Sequence, residues 1–292
     1  MITSKQFVSR MRATARAAAL SVLAADAAHR NWSRVALERP RIHFVYLHSV
    51  RPNEEENFRR LLRILAETHT FVSHSAALRL MAAPQVDRPY MAFSFDDGYA
   101  SNVRTAQLLD DFGAKGCFFV CTDFIGTRSL SEARQFFRAS ELVDEAAMSW
   151  ADIERLVEGG HEVGNHTRKH LNLRQLGVTE LQDEIAGAGA VLEDRLGQMA
   201  SHFAWPFGRF QHFSPVAAQV AHDSGVRSIA SAERGAHCAN VGGRASRGCI
   251  RRDHVQADWP IAHALYFLAR SARNATSTSI DWPEGWDQRA AS

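Results

Sequence analysis

The chain has no uninterrupted apolar run approaching 18 residues, which excludes a membrane-spanning helix. It also lacks a charge imbalance. Its 34 Lys+Arg against 32 Asp+Glu leave a formal net charge of +2, and a dedicated nucleic-acid binder would be far more basic. Cysteine is scarce, with four in 292 residues. Cys117 and Cys121 share the stretch CFFVC. If that is one strand, they lie roughly 13 Å apart, beyond the about 7 Å a disulfide tolerates. Cys238 and Cys249 have the freedom to pair, but nothing requires it, so a reducing compartment is favoured. There is no internal repeat. What is present is a hydrophobic content of 46% and a charged content of 23%, the balance of an ordinary globular protein. The length suits one large domain or two small ones.

Residues 1–39 read as a basic arm. Lys5, Arg10, Arg12 and Arg16 precede AAALSVLAA, and Asp26 is the sole acidic residue before Glu38. Three readings stay open. One is a cleaved signal ending near Ala25-Asp26-Ala27, another a basic helix lying on a membrane surface, and the third a docking or disordered arm. A cytoplasmic location is expected, with peripheral membrane contact and secretion both left open. Residues 40–273 carry the main domain, and residues 274–292 read as a polar, irregular tail.

The main domain alternates strands and helices. RIHFVYLH (41–48), PYMAFSFD (89–96) and GCFFVCT (116–122) are apolar strands. ENFRRLLRILAET (56–68) places Phe58, Leu61, Leu62 and Leu65 on one helical face. SWADIERLVEGG opens on Ser149 as N-cap and closes on Gly159-Gly160. LQDEIAGAGAVLEDRLG reads as one long helix, VRSIAS and RGCIRR as late strands, and WPIAHALYFLARSA as a closing helix. Repeated β-α units imply an α/β fold with a parallel sheet, open or closed into a barrel. Function then collects at the C-terminal ends of the strands. His48, Asp96-Asp97, His166 and Trp205-Pro206-Phe207 all fall there.

Three motifs carry chemistry. In SFDDG, two adjacent carboxylates end an apolar strand. Burying both costs several kcal/mol unless a cation or hydrogen bonds compensate, and a solvated Asp-Gly turn is the plain alternative. In HTRKH, His166 and His170 stand at i and i+4 and share a face if the segment begins a helix. Alone that spacing is weak among 14 histidines. Joined by a carboxylate from another strand end, two imidazoles make a recurrent metal triad with open positions. FAWPFG on its own is a strand stopped by proline, with its aromatics in the core or stacked on a ring-shaped ligand.

Taken together, SFDDG, HTRKH about 70 residues later and FAWPFG about 35 residues after that resemble the polysaccharide deacetylases of carbohydrate esterase family 4. The likeness covers residues 40–255 and includes WADIERLVEGGHEVGNHTRKH. It implies a distorted (β/α)7-type barrel holding one divalent cation, zinc or else cobalt or nickel. By position it implies that Asp97, His166 and His170 hold the metal and that Asp96 is the catalytic base. The N–H of Phe207 would serve the oxyanion, with Trp205, Pro206 and Tyr99 in the substrate-facing set. The expected substrate is an acetylated sugar or polysaccharide, with no role for nucleic acid.

The general acid is less direct. FVYLHSV resembles the tyrosine-x-histidine stretch of circularly permuted exopolysaccharide deacetylases, which points to His48, with His254 as the other candidate. The third motif of the family commonly carries an arginine that orders the base, and here Trp205 stands in that place. Arg251 or Arg252 could replace it, against the plainer reading of a solvated basic strand end. Two other functions stay open: a deformylase or other amidohydrolase of the same superfamily acting on a lipid-linked or small amide, and a carbohydrate-binding domain that has lost catalysis.

Overall fold

A computed structural model describes residues 4–138, 143–238 and 249–275. The tail therefore lies outside the described residues from position 276 onward. Two helices, α1 (Ser4–His29) and α2 (Trp32–Leu37), lead into β1 (Arg41–Leu47). Then follow α3 (Glu55–Ala66), β2 (Thr70–Phe71), α4 (His74–Met81), β3 (Pro89–Phe95), α5 (Asn102–Asp110) and β4 (Cys117–Val120). Next come α6 (Leu130–Phe136), α7 (Trp150–Glu158), β5 (Glu162–Asn165), α8 (Val178–Gln182), α9 (Ala188–Leu196) and β6 (His202–Ala204). The chain closes with α10 (Pro215–Asp223), β7 (Ser228–Ala230), β8 (Cys249–Ile250), β9 (Asp253–His254) and α11 (Ile261–Arg273).

The strands form one parallel sheet in the order β8-β7-β6-β5-β4-β3-β1-β9, with β2 also on β3. The two ends of that order are adjacent in the chain. Ile250 pairs with Ala230 of β7, and Asp253 pairs with Val45 of β1. Only Arg251 and Arg252 separate them, a reach of at most about 10 Å. The sheet must therefore curl until its edges nearly meet, giving a distorted and incompletely closed barrel. Of RGCIRR, the described residues 249–252 are thus not one strand but strand β8 and a corner that reaches toward both edges.

Each strand face feeds a different core. Val45, Leu47, Phe93, Phe95, Phe118 and Val120 point outward against the helices. Ile42, Phe44, Ala92, Phe119, Ala204 and Ala230 fill the inside. That interior is narrow, which explains its small residues. A Cβ on Gly164 would lie 2.4 Å from Cδ1 of Phe119, so this wall accepts nothing larger than glycine.

The helices follow their sequence signals. Helix α3 buries Phe58, Leu61, Leu62 and Leu65. Helix α7 starts in a reciprocal capping box between Ser149 and Asp152. The long helix expected over 181–197 is interrupted by a π-helical turn, Asp183–Gly187. The N-terminal helices pack against α11: Ala24 and Ala27 are buried, Ser21 Oγ lies 2.9 Å from His263 Nε2, and Trp32 meets Tyr266 edge-on. No helix among the described residues is long and apolar enough to cross a membrane. All four cysteines are free thiols.

Histidines are buried where the strands begin. Arg41 donates to His69 at 2.6 Å and to the carbonyls of Leu37 and Arg39. His202 bridges Ser75 and Ser228, with the His74 ring 4.6 Å away. Burial, reinforced by the charge of Arg41, pushes His69 down from 6.5 to about 3. Burial likewise pushes His74 and His202 down. The folded protein holds these rings neutral, whereas the unfolded chain protonates them near 6.5. Their contribution is complete above that value and declines as the pH falls toward 4, by up to about 1.4 kcal/mol per histidine per pH unit. The urea midpoint should therefore drop steadily between pH 7 and pH 5, and a flat profile would contradict the burial of neutral imidazoles.

Candidate active site

The C-terminal ends of β1, β3, β5, β6 and β9 surround a cavity of about 470 Å³. His48, Asp97, Tyr99, His170, Phe207 and His254 line it. Of the residues expected from sequence, Asp96 and His166 stand just behind this wall, both buried. Trp205 and Pro206 do not reach it.

The two aspartates that end β3 face different partners. Asp96 continues the β1 ladder through its N–H to Leu47 O. Its carboxylate accepts two parallel bonds from Arg252, Nη1 to Oδ1 at 2.7 Å and Nη2 to Oδ2 at 2.8 Å. Burial alone would raise the pKa of Asp96, but the charges of Arg252 and His166 outweigh it and hold the group below the usual carboxylate value. Asp97 turns the other way through a left-handed φ of 80°. Its Oδ1 lies 3.4 Å from Nε2 of His166 and 3.5 Å from Nε2 of His170. This buried oxygen has no hydrogen-bond partner among the described residues. Burial opposes its charge, and the two imidazoles together with His48 more than offset that, so Asp97 is also held low.

The second motif is a loop, not a helix. Thr167 and His170 have φ of 69° and 54°, so the expected i, i+4 helical face does not form. The two imidazoles converge through side-chain bonds instead. Asn165 Oδ1 accepts from Thr167 N, and Asn165 Nδ2 donates to Ile185 O inside the π-helical turn. Thr167 Oγ1 accepts from His170 N. His166 Nδ1 lies 2.7 Å from Ala204 O, a contact that requires the proton on Nδ1 and leaves the Nε2 lone pair available. The adjacent Asp97 carboxylate raises the pKa of His166 against the effect of burial, whereas burial takes His170 down to about 4.

An orphaned carboxylate oxygen beside two imidazole nitrogens is a donor set that suits a divalent cation. Asp97 with His166 and His170, whose Nε2 atoms lie 3.4 and 3.5 Å from its Oδ1, is of the donor type that the metal implied by the motifs takes.

The third motif divides. Trp205, expected to face substrate, is 0% exposed and stacks on Phe213 at 4.4 Å, with its Nε1 donating to Arg209 O. It belongs to the core under β6, because the strand's outward face is covered by α10. Pro206 is buried beside it. Phe207 turns outward through a φ of 62°, is 52% exposed, and sets its ring 4.8 Å from that of His170. Its N–H donates to no group among the described residues. Gly98, at a φ of 97°, leaves no room for a Cβ, which would meet Ile125 at 2.8 Å and Val120 at 3.2 Å.

Arg252 was weighed in the sequence against a solvated strand end, and the structure decides for burial: it is 0% exposed. Its guanidinium lies 4.5 Å from the Tyr46 ring and 5.1 Å from that of Phe119, and it also bonds Ser94 Oγ and Ser231 O. It supplies from the barrel corner the charge that Trp205 cannot. Cys121 was missed as a neighbour of Asp97 and His166; its only signal was its place at the end of a central strand. His48 is exposed at the rim, 5.5 Å ring to ring from the half-buried His254. Burial and the nearby charge of His48 push His254 down to about 3.

Residues 83–229, half of the chain, match the family model described as polysaccharide deacetylase. The chain is 23% identical over 151 residues to YxkH of Bacillus subtilis (strain 168), which carries a provisional polysaccharide deacetylase name. That match covers 51% of this chain and 48% of YxkH, so it spans about half the length of the curated relative. IcaB from Ammonifex degensii superposes with a TM-score of 0.64 at 20% identity, over 81% of this chain and 98% of that one. The Streptococcus pyogenes deacetylase PplD, solved with acetate, gives 0.61 at 17% identity over 78% and 98%. At these identities the two structures share the fold.

The pair between Arg252 and Asp96 is open to a direct test. Arg252→Met leaves a buried carboxylate without its counter-charge and should lower the unfolding free energy by about 3–5 kcal/mol. Adding Asp96→Asn should recover part of that loss. A urea double-mutant cycle should give a coupling above about 1.5 kcal/mol, and additive single effects would show that the two side chains do not act as a pair.

Proposed function

The chain belongs to the polysaccharide deacetylase family, a family of hydrolases, and from that premise we propose that it is a metal-dependent enzyme removing acetyl groups, N-acetyl in the first place, from a sugar or glycan. The observation that carries this reading is the division of the buried aspartates, one locked to an arginine and the other left with an unpartnered oxygen beside two imidazoles. An inactive carbohydrate-binding domain would have no need to bury either charge.

Asp97, His166 and His170 would hold the cation, zinc by preference with cobalt or nickel suited to the same donors. When bound it supplies positive charge that polarises an acyl oxygen and acidifies water. The chain's own groups do the rest. Asp96 stays ionised beside Arg252, and each of its oxygens keeps a lone pair for a proton taken from the attacking water. The bidentate contact fixes the direction from which that proton is accepted. The unused N–H of Phe207 is free to donate to the oxyanion of the tetrahedral species, a contact worth roughly 3–4 kcal/mol. The exposed ring of Phe207 and the half-buried ring of Tyr99, both lining the cavity, offer it apolar faces for a sugar ring.

The departing amine needs a proton. His254, pushed down to about 3, is neutral at neutral pH, and its remaining N–H is too weak an acid to protonate an amine. His48 stands at the open rim of the same cavity and is the general acid in this reading, with His254 packed against its ring.

Metal content and acetate release, measured on the same samples with acetylated sugar oligomers, test the scheme. Asp97→Ala and His166→Ala should lose both together. Asp96→Asn should keep the metal while turnover falls a hundred- to ten-thousandfold. If Asp96→Asn also empties the site, the two aspartates do not divide their work as proposed. Replacing His48 by Ala should cost at least about a hundredfold in turnover with metal retained, and an effect below tenfold would remove it as the acid.

A further inference from the structure

Strand β4 lies between β3 and β5, so the residue that follows it falls between Asp97 and His166. That residue is Cys121. It is completely buried, its N–H donates to Asp97 O at 3.2 Å, and its thiol donates to His166 O at 3.3 Å. One ligand atom each from Asp97, Cys121 and His166 lie within 4.8 Å of one another. Asp97 also carries a buried oxygen, Oδ1, without a hydrogen-bond partner among the described residues.

We propose that Cys121 is a further donor to the cation of this site, and that its sulfur selects a thiophilic ion such as zinc or cobalt over magnesium or manganese. The inference rests on the metal-dependent reading above. Thiolate donors favour zinc and its neighbours, whereas carboxylate and water alone suit magnesium and manganese. Cys121 does not line the cavity, while Asp97 and His170 do. It therefore approaches from the buried side and leaves the cavity side open to water and substrate. On coordination the S–H bond breaks, the proton passes to solvent, and the thiol gives up its bond to the His166 carbonyl. Cys117, four residues earlier and also buried, lies outside the group and serves as the control.

The test is to load metal-free protein with cobalt(II) and record its near-ultraviolet spectrum beside the bound cobalt content. A thiolate-to-cobalt charge-transfer band in the wild type is the expected result. Cys121→Ser should keep cobalt, lose the band, and hold zinc at least about tenfold less tightly against a chelator. Cys117→Ser should keep the band. Bound cobalt with no such band overturns the role of Cys121 and leaves the deacetylase reading standing. Failure to bind cobalt at all overturns both. Should Cys121→Ser not fold, the wild-type spectrum decides alone.

Discussion

Two neighbouring carboxylates buried at the mouth of a narrow barrel are the constraint around which this molecule is arranged. Left to themselves they would repel, and each would pay several kcal/mol in lost hydration. The fold answers by rotating them apart. Asp96 keeps the extended geometry of β3 and meets Arg252, while Asp97 takes a left-handed backbone and meets His166 and His170. The first solution neutralises one charge within the chain. The second leaves a negative site whose natural complement is a cation.

Arg252 ties that electrostatic answer to the topology. It sits in the two-residue corner between β8 and β9, where the sheet's edges nearly meet. A flat sheet would place this residue far from β3. Curling the sheet brings it across the barrel top, between Tyr46 and Phe119, where cation–π contacts in a desolvated site add up to about 2 kcal/mol. The next residue, Asp253, anchors the corner from outside through Arg234, Ser271 and His43. The corner that nearly closes the barrel is thus also the support of Asp96.

Much of this was legible in the sequence. The strand ends could be read because apolar runs and turn residues act locally, whereas the division of the two aspartates and the use of Phe207 came only with the family resemblance. The failures lie where distant segments decide. HTRKH would share a helical face only if it began a helix, but Asn165, bonded to Thr167 N and to the Ile185 carbonyl, holds it as a loop. Trp205 looked able to face a sugar, yet Phe213 from another segment covers it. Arg252 looked like a solvated strand end because nothing in RGCIRR reveals that the segment bridges two sheet edges. Cys121 carried no motif of its own, and only its place between β3 and β5 makes it a neighbour of Asp97.

Backbone strain gives an independent argument that this rim is a site and not a set of ordinary turns. Of the six non-glycine residues with left-handed φ among the described residues, four are Asp97, Thr167, His170 and Phe207. Each such residue costs on the order of 1 kcal/mol or more. A turn selected only for folding would place glycine or asparagine at these positions and avoid that cost. Here the strained residues include two of the expected metal donors and the residue whose N–H is unused. The surroundings hold them in place: Asn165 bonds the Thr167 backbone, and Gly208 fits beside Ala232 where a Cβ would lie only 2.2 Å from its neighbour. Strain concentrated on donor groups, and fixed by tight packing around them, is what a preorganised active site requires. It follows that relaxing any one of these four backbones would stabilise the chain locally while moving a donor out of reach of Asp97 or the cavity.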